Sequence, residues 1–318
     1  MNQSNADSII GINWGSSNFR AYLISPDGQV QDVLETAAGV TTLQRAGMLD
    51  MATQVHHRWP GAVHAYAAGM IGSNVGWTDA GYLDCPAGID ALASALVPTT
   101  MGGLAIDIVP GLACVRDADG APDILRGEET ELFGLLSSGQ LDDAPIVALP
   151  GTHTKWVQLR DGAVHGFMTA MSGEVFDRLS SGGLLASVVE GPGSDGPAFR
   201  EGVRTAATRT LGLNALLFGV RARMIRGTLA RADASAYLRG LLIGSEIADA
   251  LTLFPELRTA TVPLIGSAPV CALYQAALAT LGIAAHPLAS SGAVAQGFAA
   301  IHALRRPAPS AAPPHSAP

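Results

Sequence analysis

Between Ile9 and Ala37 the alternation of apolar and polar positions predicts three short strands: Ile9–Asn13, Phe19–Ser25 and Gln29–Ala37, with a Pro26-Asp27-Gly28 turn between the last two. Alternation bounded by turn residues marks antiparallel hairpins. The pattern then predicts a helix over Thr41–Arg58, a strand at Val63–Ala68 and a glycine-punctuated loop, Gly69-Met70-Ile71-Gly72-Ser73-Asn74. A helix at Ile89–Leu96, a strand at Ala105–Val109 and a helix at Glu128–Ser138 follow, the last with acids in its first turn, where the helix dipole favours them. A buried strand, Pro145–Leu149, leads to a hairpin of Lys155–Leu159 and Ala163–Met168 around Asp161-Gly162. Helices are predicted at about 174–187, 195–211, 214–230 and 233–253. A strand at Thr261–Ile265 ends in Gly266-Ser267, before a helix near 270–281, a strand near 284–288 and a last helix from Gly292 to Leu304. Strands interleaved with helices in this way predict an α/β protein.

Two windows repeat. Ile9–Arg20 and Pro145–Trp156 each hold a buried strand, a Gly-(Ser/Thr)-x-(Ser/Thr/Asn) turn, a basic residue and a second strand, with an Asp-Gly turn further on. They start about 136 positions apart, which predicts two related domains, residues 1–144 and 145–305, and a Pro/Ala/Ser-rich disordered tail at 306–318. A strand that stops at Gly-Ser/Thr exposes backbone N–H groups and hydroxyls to a close ligand, which is a phosphate-cradling device. Two such loops on opposite walls of an interdomain cleft would hold a nucleotide's phosphates. One loop alone reads better as an ordinary hairpin turn; it is the matched pair that favours phosphate binding.

Composition narrows the function. The chain has 318 residues, 48% hydrophobic and 14% charged, enough to build a large core. The formal charge of −8 argues against a nucleic-acid partner. Mean hydropathy is +0.28, but polar residues interrupt the longest uncharged stretch, Ser267–Leu304, so no membrane segment is expected. The N-terminus lacks a targeting pattern, and three scattered cysteines, Cys85, Cys114 and Cys271, suit a reducing cytoplasm. Lys155, in the second loop, is the only lysine. A homo-oligomer stays open.

Four strings, in order, resemble the 2-dehydro-3-deoxygalactonokinase family, sugar-acid kinases of the actin-like ATPase superfamily. They are Asn13-Trp14-Gly15-Ser16-Ser17-Asn18-Phe19-Arg20-Ala21, Ala68–Trp77, Leu125–Glu131 and Leu149–Val157, and the resemblance spans Ile10 to about Ala303. It implies two related domains of the actin-like ATPase (ribonuclease H-like) fold with an interdomain nucleotide cleft, ATP and Mg²⁺ as cofactors, and transfer of the γ-phosphate to the 6-hydroxyl of 2-dehydro-3-deoxy-D-galactonate. Gly15, Ser16, Ser17, Arg20, Gly151, Thr152, His153 and Lys155 then face the phosphates, and Gly266 and Ser267 the adenosine. Glu128 is the expected base, with Glu129 second; Ser73, Asn74, Trp77 and Arg126 are expected on the sugar acid. The chain departs from the family at position 13, where the magnesium-site Asp is Asn13, and at Ala289-Ser290-Ser291-Gly292, where many members carry an acid. Asn13 keeps an oxygen for a metal's waters but brings no charge. The alternatives are a kinase for another keto-deoxy sugar acid or a polyol, and a nucleotide-binding sensor with weakened catalysis.

Overall fold

The computed structural model describes residues 7–305; the expected tail at 306–318 lies outside them. In chain order the strands are β1 (Ile9–Trp14), β2 (Phe19–Ile24), β3 (Val30–Thr36), β4 (His64–Gly69), β5 (Tyr82–Asp84), β6 (Val97–Met101), β7 (Leu104–Ile108), β8 (Gly111–Val115), β9 (Pro122–Leu125), β10 (Ile146–Leu149), β11 (Thr154–Arg160), β12 (Ala163–Ala170), β13 (Thr261–Leu264) and β14 (Ala284–Pro287). The helices are α1 (Arg45–Arg58), α2 (Ile89–Ser94), α3 (Glu128–Ser137), α4 (Ser172–Ser181), α5 (Gly183–Ala186), α6 (Pro197–Ala207), α7 (Leu213–Ile225), α8 (Ala234–Leu253), α9 (Ala268–Thr280) and α10 (Ala293–Arg305).

The chain forms two compact units. One gathers the chain up to Leu112, Arg126–Gln140 and the residues from Ser291 on; the other is Ala113–Leu125 with Leu141–Ser290. The predicted division at 144/145 lies close to Gln140/Leu141, but the units exchange segments: the last helix joins the first unit and Ala113–Leu125 joins the second.

In the first unit the sheet order is β3-β2-β1-β4-β7-β6. β1, β2 and β3 form an antiparallel meander, and β4 and β7 run parallel to β1. Ile10, Ile12, Trp14 and Phe19 pack in one core with Met48, Met51, Ala52 and Val55 of α1. Elsewhere on the sheet Gly11 admits the Phe298 ring of α10, which a Cβ would meet at 2.3 Å. α10 meets α3 at two glycines: a Cβ on Gly134 would lie 1.8 Å from the Ala293 carbonyl oxygen, and one on Gly297 2.0 Å from that of Thr130. This contact draws α10 into the first unit and fixes α3.

In the second unit the order is β12-β11-β10-β13-β14, again a meander followed by parallel strands. The repeat is therefore structural. Asn13 pairs with Arg20, and Leu149 pairs with Lys155, at matching points of the two hairpins. α8 crosses α6 through Gly202, Gly240 and Gly244, each within 2.5 Å of opposing backbone if given a Cβ. The pattern missed β6, whose Pro98 reads as a break; β6 is an edge strand, where proline is tolerated. The predicted 174–187 helix breaks at Gly182 into α4 and α5.

Candidate active site

The first unit's site grows from the ends of β1 and β4. Loop 1, Gly15–Asn18, closes with the Gly15 N–H donating to the Asn18 carbonyl (2.9 Å). It is tethered by the Val40 and Thr41 N–H groups, which donate to the Gly15 and Ser16 carbonyls. Ser16 and Ser17 stay exposed. Gly39 presses so close that a Cβ would fall 2.0 Å from the Ser16 carbonyl oxygen. Gly69 leaves β4 at φ 93°, and Gly127 enters α3 at φ 105°, both in the left-handed region that favours glycine. A Cβ on Gly69 would lie 3.5 Å from Asn13 Oδ1, and one on Gly127 3.3 Å from the Gly69 Cα. Asn13 and the start of α3 thus converge on Gly69.

The two adjacent acids of α3 divide. Glu129 is fully buried and accepts the Gly127 N–H at 2.5 Å, capping its own helix. Burial, reinforced by Glu128, pushes its carboxyl up to about 8. Glu128 is only half-buried. Arg126 donates through Nη2 to the Gly81 carbonyl (2.7 Å) and lies over the Tyr82 ring. Its Nε and Nη1 are buried without acceptors, and Nη1 would lie 2.9 Å from a Cβ on Gly72. Ser73 is buried with its hydroxyl on the Met70 carbonyl (2.7 Å), while Asn74 is exposed. Trp77 packs against the core, and the Arg45 guanidinium covers its ring at 3.7 Å. Arg45 escaped the sequence reading because nothing local links it to position 77.

Arg20 is held differently from its expected phosphate role. It ion-pairs with Glu35, its cross-strand neighbour on β3, and that hydrogen bond raises its pKa. Opposite charges facing across a strand pair are a sufficient structural reason for both residues.

The second unit presents a cavity of about 320 Å³. Loop 2 lines it with Pro150, Gly151 and Thr152; Ser172 and Gly173 start α4, and Ser267 stands at the N-cap position of α9. Two helix N-termini and a glycine turn around one cavity favour an anion. A Cβ on Gly266 would lie 2.8 Å from the Pro150 carbonyl, so the β13 end packs tightly on loop 2. His153 is exposed and bonds Glu174 (2.7 Å), which lowers the glutamate's pKa. Lys155 is buried and donates to the His153 carbonyl at 3.1 Å, bringing its charge back to the loop.

Below the loop lies a buried polar network that sequence reasoning missed. The Thr154 and Tyr274 hydroxyls are 2.7 Å apart, and Tyr274 donates to Glu246 Oε2 at 2.9 Å. Trp156 Nε1 donates to Glu246 Oε1 at 2.7 Å, and the Ser172 hydroxyl donates to Oε2. Burial pushes the Glu246 carboxyl up to about 7, against three donors that favour its charged form. The available signal was Glu246, the one charged residue inside the mostly apolar Leu241–Ala248 stretch. Among the described residues no group of His, Cys, Asp and Glu has metal-holding geometry, and no helix is long and apolar enough to cross a membrane.

The duplicated sheet, with its glycine hairpin in each copy, has the fold expected of the actin-like ATPase (ribonuclease H-like) class. A family model for 2-keto-3-deoxy-galactonokinase matches residues 13–301. A probable 2-dehydro-3-deoxygalactonokinase of Rhizobium meliloti (strain 1021) is 36% identical over 305 residues, covering 91% of this chain and 94% of the relative. The 2-dehydro-3-deoxygalactonokinase of Escherichia coli (strain K12) is 34% identical, covering 93% and 98%. A Sinorhizobium meliloti crystal structure, described as a 2-dehydro-3-deoxygalactonokinase protein, superposes with a TM-score of 0.83 at 34% identity over 93% of this chain and 99% of that one. The chain belongs to the 2-keto-3-deoxy-galactonokinase family, phosphotransferases that act on a hydroxyl of a sugar acid.

Proposed function

We propose that this protein transfers the γ-phosphate of ATP to the 6-hydroxyl of 2-dehydro-3-deoxy-D-galactonate, giving the 6-phosphate and ADP in cytoplasmic galactonate breakdown. The observation that carries the acceptor half is Arg126. Buried N–H donors without acceptors are costly, and a substrate carboxylate on Nε and Nη1 would satisfy both in a bidentate pair. Asn74 and the hydroxyl of Ser73 border the same loop and suit a polyol chain. Glu128, half-buried at the start of α3, takes the proton of the 6-hydroxyl as its oxygen bonds to phosphorus and the bond to the ADP oxygen breaks. Glu129 is the cap beneath it. This reading has the loop 2 cavity hold the nucleotide, with Ser267 on the adenosine side and the Lys155 charge behind loop 2. In the first unit, loop 1 offers Ser16 and Ser17 as its own exposed phosphate-loop hydroxyls. Asn13 Oδ1, set beside Gly69, is an uncharged oxygen suited to the hydration shell of Mg²⁺, whose chemistry when bound is to neutralise phosphate charge.

The test is coupled ADP release across a panel of 2-keto-3-deoxy sugar acids. Wild type turns over the galactonate-derived acid fastest, and Arg126→Met raises KM for the acid about tenfold or more while KM for ATP holds. Equal rates on every acid, or an Arg126→Met enzyme with unchanged acid KM, would overturn the acceptor assignment. A second reading, a nucleotide-binding sensor, draws on the uncharged Asn13 and predicts ATP binding with no turnover on any acid in the panel.

A further inference from the structure

Arg239 plays no part in that reading, yet it lines the loop 2 cavity from α8, together with Asp177 of α4. Its guanidinium lies over the Phe176 ring at 3.7 Å, so one face is covered and its orientation is fixed. Nε is buried without an acceptor. Among the described residues the Arg239 side chain makes no hydrogen bond and no ion pair, although Asp177 is near enough to act on it electrostatically. Burial lowers the Arg239 pKa, so the charge is held there at a cost. Two opposite charges that line one cavity and leave each other unbonded mark an acceptor position and a donor position for a ligand. A polyphosphate suits only the arginine and is repelled by Asp177. A 6-aminopurine suits both, because its edge sets an exocyclic amine donor beside a ring-nitrogen acceptor.

We propose that Arg239 and Asp177 select the nucleobase of the phosphoryl donor: Arg239 donates to a ring nitrogen of a 6-aminopurine and Asp177 accepts from its amine. The proposal rests on the nucleotide reading of the loop 2 cavity. α8 is a rigid mount for this, since Gly240 and Gly244 lock it against α6 on either side of the cavity residues Leu242 and Ile243. A 6-oxopurine reverses the pattern at the amine position and sets its carbonyl oxygen against the Asp177 carboxylate.

Calorimetric titration of the full chain with ATP, with ITP and with inorganic tripolyphosphate tests this without any sugar acid. Wild type binds ATP about tenfold or more tighter than ITP. Asp177→Ala, at an exposed position, brings that ratio to about one. Arg239→Met keeps a long apolar side chain beside Phe176 without the guanidinium and weakens ATP about tenfold while tripolyphosphate binding holds. An unchanged ATP/ITP ratio in Asp177→Ala overturns the proposal. So does an Arg239→Met protein that melts like wild type and loses tripolyphosphate as strongly as ATP, which would put the arginine on the phosphates. Base selection in a protein that phosphorylates no sugar acid leaves this proposal standing and removes the kinase reading; turnover without base selection does the reverse.

Discussion

Loop 1 and loop 2 leave equivalent strands of two equivalent sheets, and each has a backbone anchor with a close-packed glycine, yet only loop 2 adds a buried side-chain network. Loop 1 is held by backbone: Val40 and Thr41 donate to its carbonyls and Gly39 lies against Ser16 with no room for a side chain. Loop 2 has a backbone anchor too, the Glu174 N–H donating to the Thr152 carbonyl with Gly173 pressed against Gly151, but it adds a buried side-chain network from Thr154 through Tyr274 to Glu246. The paired basic residues diverge as well. Arg20 is turned to Glu35 on its own sheet, whereas Lys155 is buried and folded back on the His153 carbonyl. The lesson is that duplication preserved the strand order and the turn while each copy acquired its own support. The first unit spends that support on placing Asn13 and Glu128 around Gly69; the second spends it on shaping a cavity.

The sharpest way to separate the units is at Glu128. Glu128→Gln is expected to lower kcat by ~10²–10⁴-fold with ADP affinity nearly unchanged, since the cavity lies in the second unit. Glu129→Gln should cost far less, because that carboxyl already favours its neutral form near neutrality. Stopped turnover and calorimetry decide it, and a selective loss in Glu129→Gln would move the base one residue along.

The backbone anchor should be less forgiving than the side-chain anchor. Gly39→Ala forces a Cβ to within 2.0 Å of the Ser16 carbonyl, so loop 1 must shift. The expected cost is about 1–3 kcal/mol of stability, with KM for ATP raised about tenfold. Thr154→Val removes one hydroxyl from the loop 2 network and should cost about 1 kcal/mol, with a rise of a few-fold in KM. Melting curves and ATP titrations rank the two; a larger loss at Thr154 would reverse the comparison.

Each unit also buries one glutamate, Glu129 and Glu246, with carboxyls pushed up to about 8 and about 7. A carboxyl whose folded pKa is raised contributes stability that is fully present below the unfolded value of about 4.5 and is lost as pH rises toward the folded value. The melting temperature should therefore fall between about pH 4.5 and 8, and Glu129→Gln should flatten the upper part of the slope. A melting temperature that climbs across this window would contradict both burials. The smallest expected effect is Asn13→Asp, which restores a charge at the magnesium shell and should lower the magnesium requirement a few-fold with a modest gain in turnover. Kinetics at graded magnesium concentrations read this out, and no change would remove position 13 from the metal site.

Much of this was legible in the residues alone. The meander strands, the two glycine turns and the start of α3 depend on alternation, turn chemistry and acids near a helix dipole, which are properties of neighbours in sequence. The repeat at an offset of about 136 positions therefore appeared before any contact was known. What lies apart in the chain could not appear. Trp156, Ser172, Glu246 and Tyr274 meet only because glycine contacts set the rotation of α8 and α9 closes over it. Alternation sets Lys155 on the strand face opposite Thr154 and Trp156 without saying which face is buried; β11 is covered on both, so the lysine is buried. The exchange of α10 into the first unit was decided by its glycine contact with α3 and by Phe298 finding the space over Gly11. Local pattern determines which elements form and where ligand loops fall; which side chains share a cavity follows from how closely helices can approach, and that is settled only when the backbones meet.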